Sequence, residues 1–276
     1  MSLLLVFICL FAFYIFLMVL KNKTTSVEGY KNKTKVNKNP YDLFKIFNKC
    51  FVINLKETKE GKRRMNVLNK HKILAKYITR FPGVYGKTYN YNKEIKKGIL
   101  KKKWDYGRWL GKRSKIIDMS DGECGCALSH YYLWKKIVDE KIPVTMVLED
   151  DAISVHPDFE RNIFKLKSYL PKNWDIFLLG FYLNKGPNGK RLNRYIYSVD
   201  NFVLLHSYLI TYEGAKKLLN QIPINMPLDS WISSKSKKIN IYRHGLAKNQ
   251  SWRPSSLLIR QQRDTKQIVN TNNYFK

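Results

Sequence analysis

The stretch Val144-Thr-Met-Val-Leu-Glu-Asp-Asp151 decides the fold. Its first five residues are apolar or β-branched and follow a proline, which indicates a buried strand. Because side chains alternate along a strand, we expect Glu149 and Asp151 on one face and Asp150 on the other. Two carboxylates at a strand end can bind Mg²⁺ or Mn²⁺. A solvated acidic turn, or a helix N-cap at Asp151, remains the alternative.

Strands and helices alternate on both sides of this stretch. The apolar patterns predict strands at residues 50–55, 174–179, 203–211 and 239–242, and helices at residues 60–79, 127–140, 156–170, 213–219 and 229–236. Residues 82–118 are mixed and predicted to be rich in loops. The alternation predicts an α/β, Rossmann-type fold with a mostly parallel sheet covered by helices. Ligands of such sheets bind beyond the carboxyl ends of the strands, where the acids lie.

A second candidate segment is Gly122-Glu-Cys-Gly-Cys-Ala-Leu-Ser-His130. We interpret its first part as a glycine-containing turn that leads into the helix at residues 127–140. Glycines let the backbone approach a phosphate or ribose closely, and a helix N-terminus favours anions. His130 is then a candidate donor to a phosphate. A structural turn with a packed histidine is the alternative.

Together these segments resemble glycosyltransferase family 25, which contains bacterial lipooligosaccharide and animal collagen galactosyltransferases. The matching pieces, in the family's order, are Phe51-Val-Ile-Asn-Leu55 with Arg63-Arg64-Met65, Gly122 to His130 with Trp134, Val147-Leu-Glu-Asp-Asp-Ala152, Trp174-Asp-Ile-Phe-Leu-Leu-Gly180, Tyr208-Leu-Ile-Thr-Tyr-Glu-Gly-Ala215 and Pro227-Leu-Asp229. The resemblance implies a GT-A-like fold, a UDP-sugar donor, a metal that is usually Mn²⁺, and inversion at the anomeric carbon.

The resemblance also implies roles for particular residues. The donor-binding candidates that it implies are Asn54, Arg63, Ser129, His130 and Asp150, and the metal candidates are Glu149 and Asp151.

Asp229 stands where the family has a carboxylate near the acceptor, and inversion by direct displacement needs one general base. Asp229 is therefore the catalytic candidate, with an N-cap for the helix at residues 229–236 as the alternative. His244 is a further candidate for the metal shell, against an ordinary surface histidine.

The formal net charge of +30 raises the question of nucleic-acid binding. No helix-turn-helix, zinc-finger spacing or RNA-binding aromatic motif accompanies the charge, and the lysines are spread along the chain as on a solvated surface. We therefore expect no specific nucleic-acid partner.

A basic and aromatic segment at residues 101–115 is a candidate for binding lipid headgroups or an anionic acceptor. The alternative is that this segment is a solvated surface loop. Four cysteines form neither a dense disulfide framework nor a paired zinc pattern.

The N-terminus carries an uninterrupted apolar run of 18 residues, Leu3 to Leu20. As a helix it would reach about 27 Å, enough for a thin bilayer. The sequence predicts a transmembrane signal anchor at residues 1–20, a polar stalk at 21–45 and the glycosyltransferase domain at 46–276. Lysines after the span favour a cytoplasmic domain, whereas three glycosylation sequons need a luminal one, so the topology stays open.

The sequence thus predicts a membrane-anchored enzyme of the endoplasmic reticulum or Golgi type. It would transfer a hexose, galactose or glucose, from a UDP-sugar to a glycan, lipid or protein acceptor with the help of Mn²⁺ or Mg²⁺. The alternative is a catalytically inactive family member that acts as a membrane-bound binding or assembly protein.

Overall fold

The computed structural model describes residues 41–152, 154–183, 189–245 and 259–260. These residues belong to one compact unit that begins at Tyr41. The predicted anchor and most of the predicted stalk lie outside the described residues. The last stalk residues fold with the domain, because Leu43 in the short 3₁₀ helix Leu43–Lys45 is buried. Within the described part of the chain, no helix has the length and apolar character that crossing a membrane requires.

A seven-stranded sheet forms the centre of the described fold. Its strands are β1 (Lys49–Asn54), β2 (Ile78–Pro82), β5 (Val144–Glu149), β7 (Ile176–Leu183), β8 (Ile196–Ser198), β9 (Phe202–Thr211) and β10 (Ile241–His244). They lie in the order β2-β1-β5-β9-β7-β10-β8. Five strands run in one direction, and β8 and β9 run against them. This mixed α/β architecture with a mostly parallel sheet confirms the predicted fold class and fits a GT-A-like fold.

Two small ribbons and seven helices accompany the sheet among the described residues. The ribbons pair β3 (Lys103–Asp105) with β4 (Ile116–Asp118), and β6 (Ser154–Val155) with β11 (Ile259–Arg260). The helices are α1 (Lys59–Asn69), α2 (Asn92–Lys96), α3 (Tyr106–Trp109), α4 (Asp121–Asp139), α5 (Phe159–Lys167), α6 (Tyr212–Leu219) and α7 (Leu228–Ser233).

The helix predicted at residues 60–79 is wrong in its second half. Helix α1 ends at Asn69, and the His71 ring nitrogen Nδ1 then accepts hydrogen bonds from the backbone N–H groups of Ile73 and Leu74, which forms a turn. The chain continues into β2 beside β1. Leu74 is fully buried, so its place in the apolar pattern reflects packing of the turn rather than a helical face.

The glycine-containing turn predicted before residue 127 is also wrong, because Gly122 to Cys126 lie inside α4. Ser120 caps this helix, and its side chain and that of Glu123 exchange hydrogen bonds with each other's backbone N–H groups in a capping box. A Cβ on Gly125 would lie 2.7 Å from the Val84 carbonyl oxygen. Gly125 therefore lets α4 pack against the loop after β2, and it does not open a backbone cradle for phosphate.

The alternation of β5 fixes which side of the sheet carries the site. Met146 and Leu148 pack in the core that contains α5, whereas Val147 packs in the core that contains α4, α6 and α7. Glu149, two residues after Val147, is on the α4 side of the strand.

Candidate functional site

The acid triplet lies at the carboxyl end of β5, and its geometry differs from the predicted alternation. The strand ends at Glu149, and the Ala152 N–H donates to the Glu149 carbonyl at 3.0 Å, so Asp150 and Asp151 lie in a turn. Alternation does not apply beyond the strand end. Asp150 and Asp151 both face Arg64, whose Nη1 lies 2.9 Å from Asp150 Oδ1 and 3.8 Å from Asp151 Oδ2.

Arg64 is a residue that the sequence interpretation missed in favour of Arg63. The side chain of Arg63 is 46 % exposed and pairs with Glu60 at the surface, whereas that of Arg64 is 11 % exposed and reaches the acids. Desolvation lowers the pKa of Arg64, but Asp150 and Asp151 outweigh it and hold the guanidinium pKa above its usual range. Arg64 is therefore the arginine that contacts the acids, and the donor-binding role of Arg63 stays a prediction.

Asn54 lies at the end of β1 and is buried. Its Nδ2 donates to the Gly61 carbonyl and to Asp150 Oδ2, both at 2.8 Å, and its Oδ1 accepts from Arg80 Nε at 2.9 Å. Both amide hydrogens are therefore used within the protein. Asn54 positions Asp150, and its predicted role in donor binding stays a prediction.

Asp150 is held from two sides. Its Oδ2 accepts from Asn54 and its Oδ1 accepts from Arg64. These contacts fix the start of the turn that carries Asp151, which is 5 % exposed. Whether Asp150 contacts the donor stays a prediction.

Ser129 joins α4 to the loop after β2. Its Oγ donates to the Gly125 carbonyl at 2.6 Å and accepts from the Val84 N–H at 2.8 Å. The side chain is buried, with both hydrogen bonds made inside the protein. This arrangement is structural, and the donor-binding role of Ser129 stays a prediction.

His130 faces the end of β5 from α4. Its Nδ1 lies 2.8 Å from the Tyr208 hydroxyl and its Nε2 lies 3.5 Å from Glu149 Oε1. Trp134 Nε1 donates to the same hydroxyl at 3.0 Å. The indole can only donate, so the Tyr208 hydroxyl accepts from Trp134, and the direction of its contact with His130 Nδ1 depends on the histidine tautomer. The packed-histidine alternative describes His130 well, and a phosphate contact stays a prediction.

Cys126 lies one helical turn before His130, and its Sγ is 3.6 Å from Glu149 Oε1. Burial raises the pKa of the thiol well above its usual value, and the negative charges of Glu149, Asp229 and Asp151 add to this effect. Burial acts to raise the pKa of Glu149, but the contact with His130, the charges of His130 and His206, and the contact with Cys126 outweigh it, so this pKa is lowered. Three carboxylates from two parts of the chain, the end of β5 and residue 229, therefore act on one thiol at the sheet edge.

Asp229 lies in the first turn of α7, whose N-cap is Pro227, so the N-cap alternative for Asp229 is wrong. Its Oδ2 accepts from the Leu204 N–H at 2.8 Å and its Oδ1 from the Ser230 N–H at 2.6 Å. Burial raises the pKa of this carboxyl, and the charge of Glu149 raises it further, against the two backbone hydrogen bonds.

Leu204 has φ +64, a left-handed conformation that costs a non-glycine residue about 1–3 kcal/mol. The strained residue thus presents its N–H to Asp229.

His244 ends β10 and is buried, which contradicts the surface alternative. Its ring lies 5.8 Å from that of Phe181, and its two nitrogens find no hydrogen-bond partner among the described residues. Burial, with the charges of Arg243 and His156, lowers the pKa of His244 to about 3. Among the described residues, the side chains of Cys126, His130 and Glu149 form a cluster that could ligate a metal, and His244 does not belong to it.

Comparison with protein families gives the class of this chain. The protein-family model described as "Glycosyltransferase family 25 (LPS biosynthesis protein)" matches residues 47–232, which is more than half of the chain. The chain therefore belongs to glycosyltransferase family 25, which confirms the resemblance seen in the sequence.

Similar proteins include two procollagen galactosyltransferases. The chain is 29 % identical over 200 residues to procollagen galactosyltransferase 2 of Mus musculus and 32 % identical over 198 residues to procollagen galactosyltransferase 1-A of Xenopus laevis. Each match covers 67 % of this chain but 30 % of the relative, so the chain spans about a third of these proteins. Among solved structures, 4-diphosphocytidyl-2C-methyl-D-erythritol synthase from Anaerococcus prevotii matches 82 % of this chain and 95 % of its own, at 12 % identity and a TM-score of 0.35.

Proposed function

We propose that this chain transfers a hexose from a UDP-sugar to an acceptor hydroxyl with inversion, assisted by Mn²⁺ or Mg²⁺. The observation that carries the proposal is that the charges of Glu149, Asp229 and Asp151 all raise the pKa of the Cys126 thiol, which lies 3.6 Å from Glu149 at the carboxyl edge of the sheet in a family 25 chain. The relatives' names support galactose as the sugar and a collagen-type protein as the acceptor, with glucose and a glycan or lipid acceptor as the alternatives.

The residues present fit a divalent cation. Glu149 raises the pKa of the Asp229 carboxyl, and Asp151 and Glu149 both act on Cys126, so negative charge accumulates at this edge. We propose that Glu149 and Asp151 hold the metal, because both oxygens of Asp150 already accept hydrogen bonds. Bound there, the cation would stabilise the negative charge that develops on the departing diphosphate.

Arg64 and Asn54 keep the acids in place before any ligand arrives. The guanidinium offsets part of the charge of Asp150 and Asp151, and the Asn54 amide fixes the orientation of Asp150. Such preorganisation means that little rearrangement is needed when charge moves during the reaction.

Asp229 is the proposed general base. An attacking acceptor hydroxyl must lose its proton as the new bond forms, and a carboxylate within hydrogen-bond reach can accept it. Each Asp229 oxygen accepts one backbone N–H, which orients the carboxylate and leaves further lone-pair positions for the acceptor. Its raised pKa makes it a stronger base than an exposed aspartate.

The N-terminal anchor and the endomembrane location stay proposals. The apolar run at residues 1–20 supports the anchor, and the names of the procollagen relatives support a compartment of the secretory type.

The test measures release of UDP from a panel of UDP-sugars by the purified full chain, with and without acceptor, in Mn²⁺ and in chelator. We expect metal-dependent release from one donor. Asp151→Asn should lower the rate at least about a hundredfold, since it removes one charged ligand of the metal. Asp158→Asn is the matched control, because Asp158 is exposed and outside the site.

Full activity of Asp151→Asn would remove Asp151 from the metal site. Metal-dependent binding of UDP without turnover of any donor, with each acceptor tried, would favour the inactive alternative.

A further inference from the structure

Cys126, His130 and Glu149 form a cluster with a mixed set of donor atoms, and the proposed transfer reaction uses neither the thiol nor the imidazole. Cys126 and His130 lie one turn apart on α4, so both side chains leave the same face of the helix. Glu149 meets them from the end of β5. The thiol, the imidazole nitrogen and the carboxylate oxygen all lie within 4.8 Å of one another.

The distances match a tetrahedral zinc ion. With bond lengths of about 2.3 Å to sulfur and about 2.0–2.1 Å to nitrogen and oxygen, tetrahedral ligands are separated by about 3.6 Å for sulfur and oxygen and by about 3.4 Å for nitrogen and oxygen. The observed separations from Glu149 Oε1 are 3.6 Å to Cys126 Sγ and 3.5 Å to His130 Nε2. The third pair needs about 3.6 Å and lies within 4.8 Å, so the thiol would move by about 1.2 Å at most.

The surroundings of His130 also suit a metal ligand. A ligating histidine is usually oriented by a hydrogen bond at its other ring nitrogen. His130 has this contact, since Nδ1 lies 2.8 Å from the Tyr208 hydroxyl and the two rings stack at 5.7 Å. On binding, the ring would carry its proton on Nδ1 and donate it to Tyr208, which frees Nε2 for the ion.

An ion can reach this cluster from solvent. His130 is 1 % exposed, but the Glu149 side chain is 26 % exposed and Cys126 is half-buried. The site therefore has a buried nitrogen at its base and an open side where a water molecule could complete the tetrahedron.

We propose that Cys126, His130 and Glu149 form a binding site for a borderline divalent cation, with zinc as the preferred ion. Thiolate and imidazole select zinc, whereas Mn²⁺ and Mg²⁺ prefer oxygen ligands, and zinc also binds such sites more tightly than manganese does. Binding releases the thiol proton to solvent and leaves a thiolate on the ion.

A consequence follows for the transferase and rests on the proposed function. Glu149 belongs to both ligand sets, so zinc held by Cys126 and His130 takes a carboxylate away from the catalytic metal. Zinc is therefore an inhibitor of this enzyme, and Cys126 sets its potency.

The test uses Co²⁺ as a spectroscopic probe for zinc on the purified, metal-free full chain. A cobalt–thiolate bond gives charge-transfer absorption in the near ultraviolet, and zinc titrated into the cobalt form removes it. We expect this absorption in the wild type and in Cys124→Ser, the matched control, because Cys124 is on the same helix but buried against the Met119 carbonyl. Cys126→Ser should lose it and bind zinc at least about tenfold more weakly.

Absence of the band from the wild type, or its persistence in Cys126→Ser, would overturn the site. If Cys126→Ser does not fold, alkylation of the wild type decides instead. Saturating zinc should protect Cys126 from iodoacetamide, read out by peptide mass spectrometry, and an unchanged alkylation rate would overturn the proposal. UDP release that zinc does not inhibit, in a chain that shows the band, would refute the inhibitory role. No UDP release under any condition would count against the proposed function, and the cobalt band would still decide the metal site.

Discussion

Replacement of Tyr208 by phenylalanine tests the hydrogen-bond chain behind the site. Tyr208 lies in β9 and is fully buried. Its hydroxyl accepts from Trp134 Nε1 at 3.0 Å and contacts His130 Nδ1 at 2.8 Å, and both partners are also buried. Tyr208→Phe keeps the ring and its stacking on His130 and removes one oxygen, so it changes hydrogen bonding with little change in packing.

The expected cost follows from the two groups left without a partner. A buried polar group that loses its hydrogen bond costs about 1–3 kcal/mol, so Trp134 and His130 together cost about 2–6 kcal/mol in the free energy of unfolding. For a domain of this size each kcal/mol lowers Tm by about 2–4 °C, so Tm should fall by at least about 4 °C.

Urea unfolding followed by tryptophan fluorescence measures this cost, together with thermal unfolding. Tyr212→Phe is the control, since Tyr212 is half-buried and its hydroxyl makes no hydrogen bond to the described residues. That variant should stay within about 0.5 kcal/mol of the wild type. A Tyr208→Phe variant as stable as the control would refute the view that this hydroxyl satisfies two buried groups.

Two further predictions concern charge at the site and at the end of β10. Arg64→Gln should lower the free energy of unfolding by about 2–4 kcal/mol at neutral pH, because it leaves the partly buried Asp150 without its cation. Arg63→Gln removes an exposed ion pair and should change the free energy of unfolding by less than about 0.5 kcal/mol. Equal effects of the two substitutions in urea unfolding would contradict the assignment of Arg64 to the site. The pKa of His244 is about 3 in the folded chain, whereas the ordinary value is 6.5. The unfolded chain therefore binds more protons than the folded chain below pH 6.5. As the pH is lowered below 6.5, the free energy of unfolding should fall by up to about 1.4 kcal/mol per pH unit. His244→Phe should flatten this slope between pH 7.5 and 5.5, and an unchanged slope would show that other groups cause it.

The part of the fold that rests on local patterns was predictable from the sequence. The run from Val144 to Leu148 forms β5 as expected, because a short apolar stretch bounded by proline and acids is suited to a buried strand. The true start of α4 was also visible in the sequence, since Ser120 and Glu123 have the spacing of a capping box. The glycines at 122 and 125 favoured a turn instead, and the prediction gave them too much weight.

Other features depend on how separate elements meet. Arg63 and Arg64 are adjacent arginines in the same helix, and the sequence does not distinguish them. Only the packing of α1 against the end of β1 decides that Arg64 reaches Asp150. Asn54 and Ser129 have side chains of the kind that bind ligands. In the fold, each makes hydrogen bonds to protein groups that come from other parts of the chain.

The sequence by itself determined the family, the α/β class and the acid triplet, because these follow from short motifs and local periodicity. Only the tertiary structure decided that Cys126 and His130 face Glu149, and that Asp229 from α7 acts on the same edge. Cys126 and Asp229 are about a hundred positions apart in the chain. Their meeting depends on the rotation of α4 about its axis and on its packing over the sheet, and those are set by the whole core rather than by any one segment.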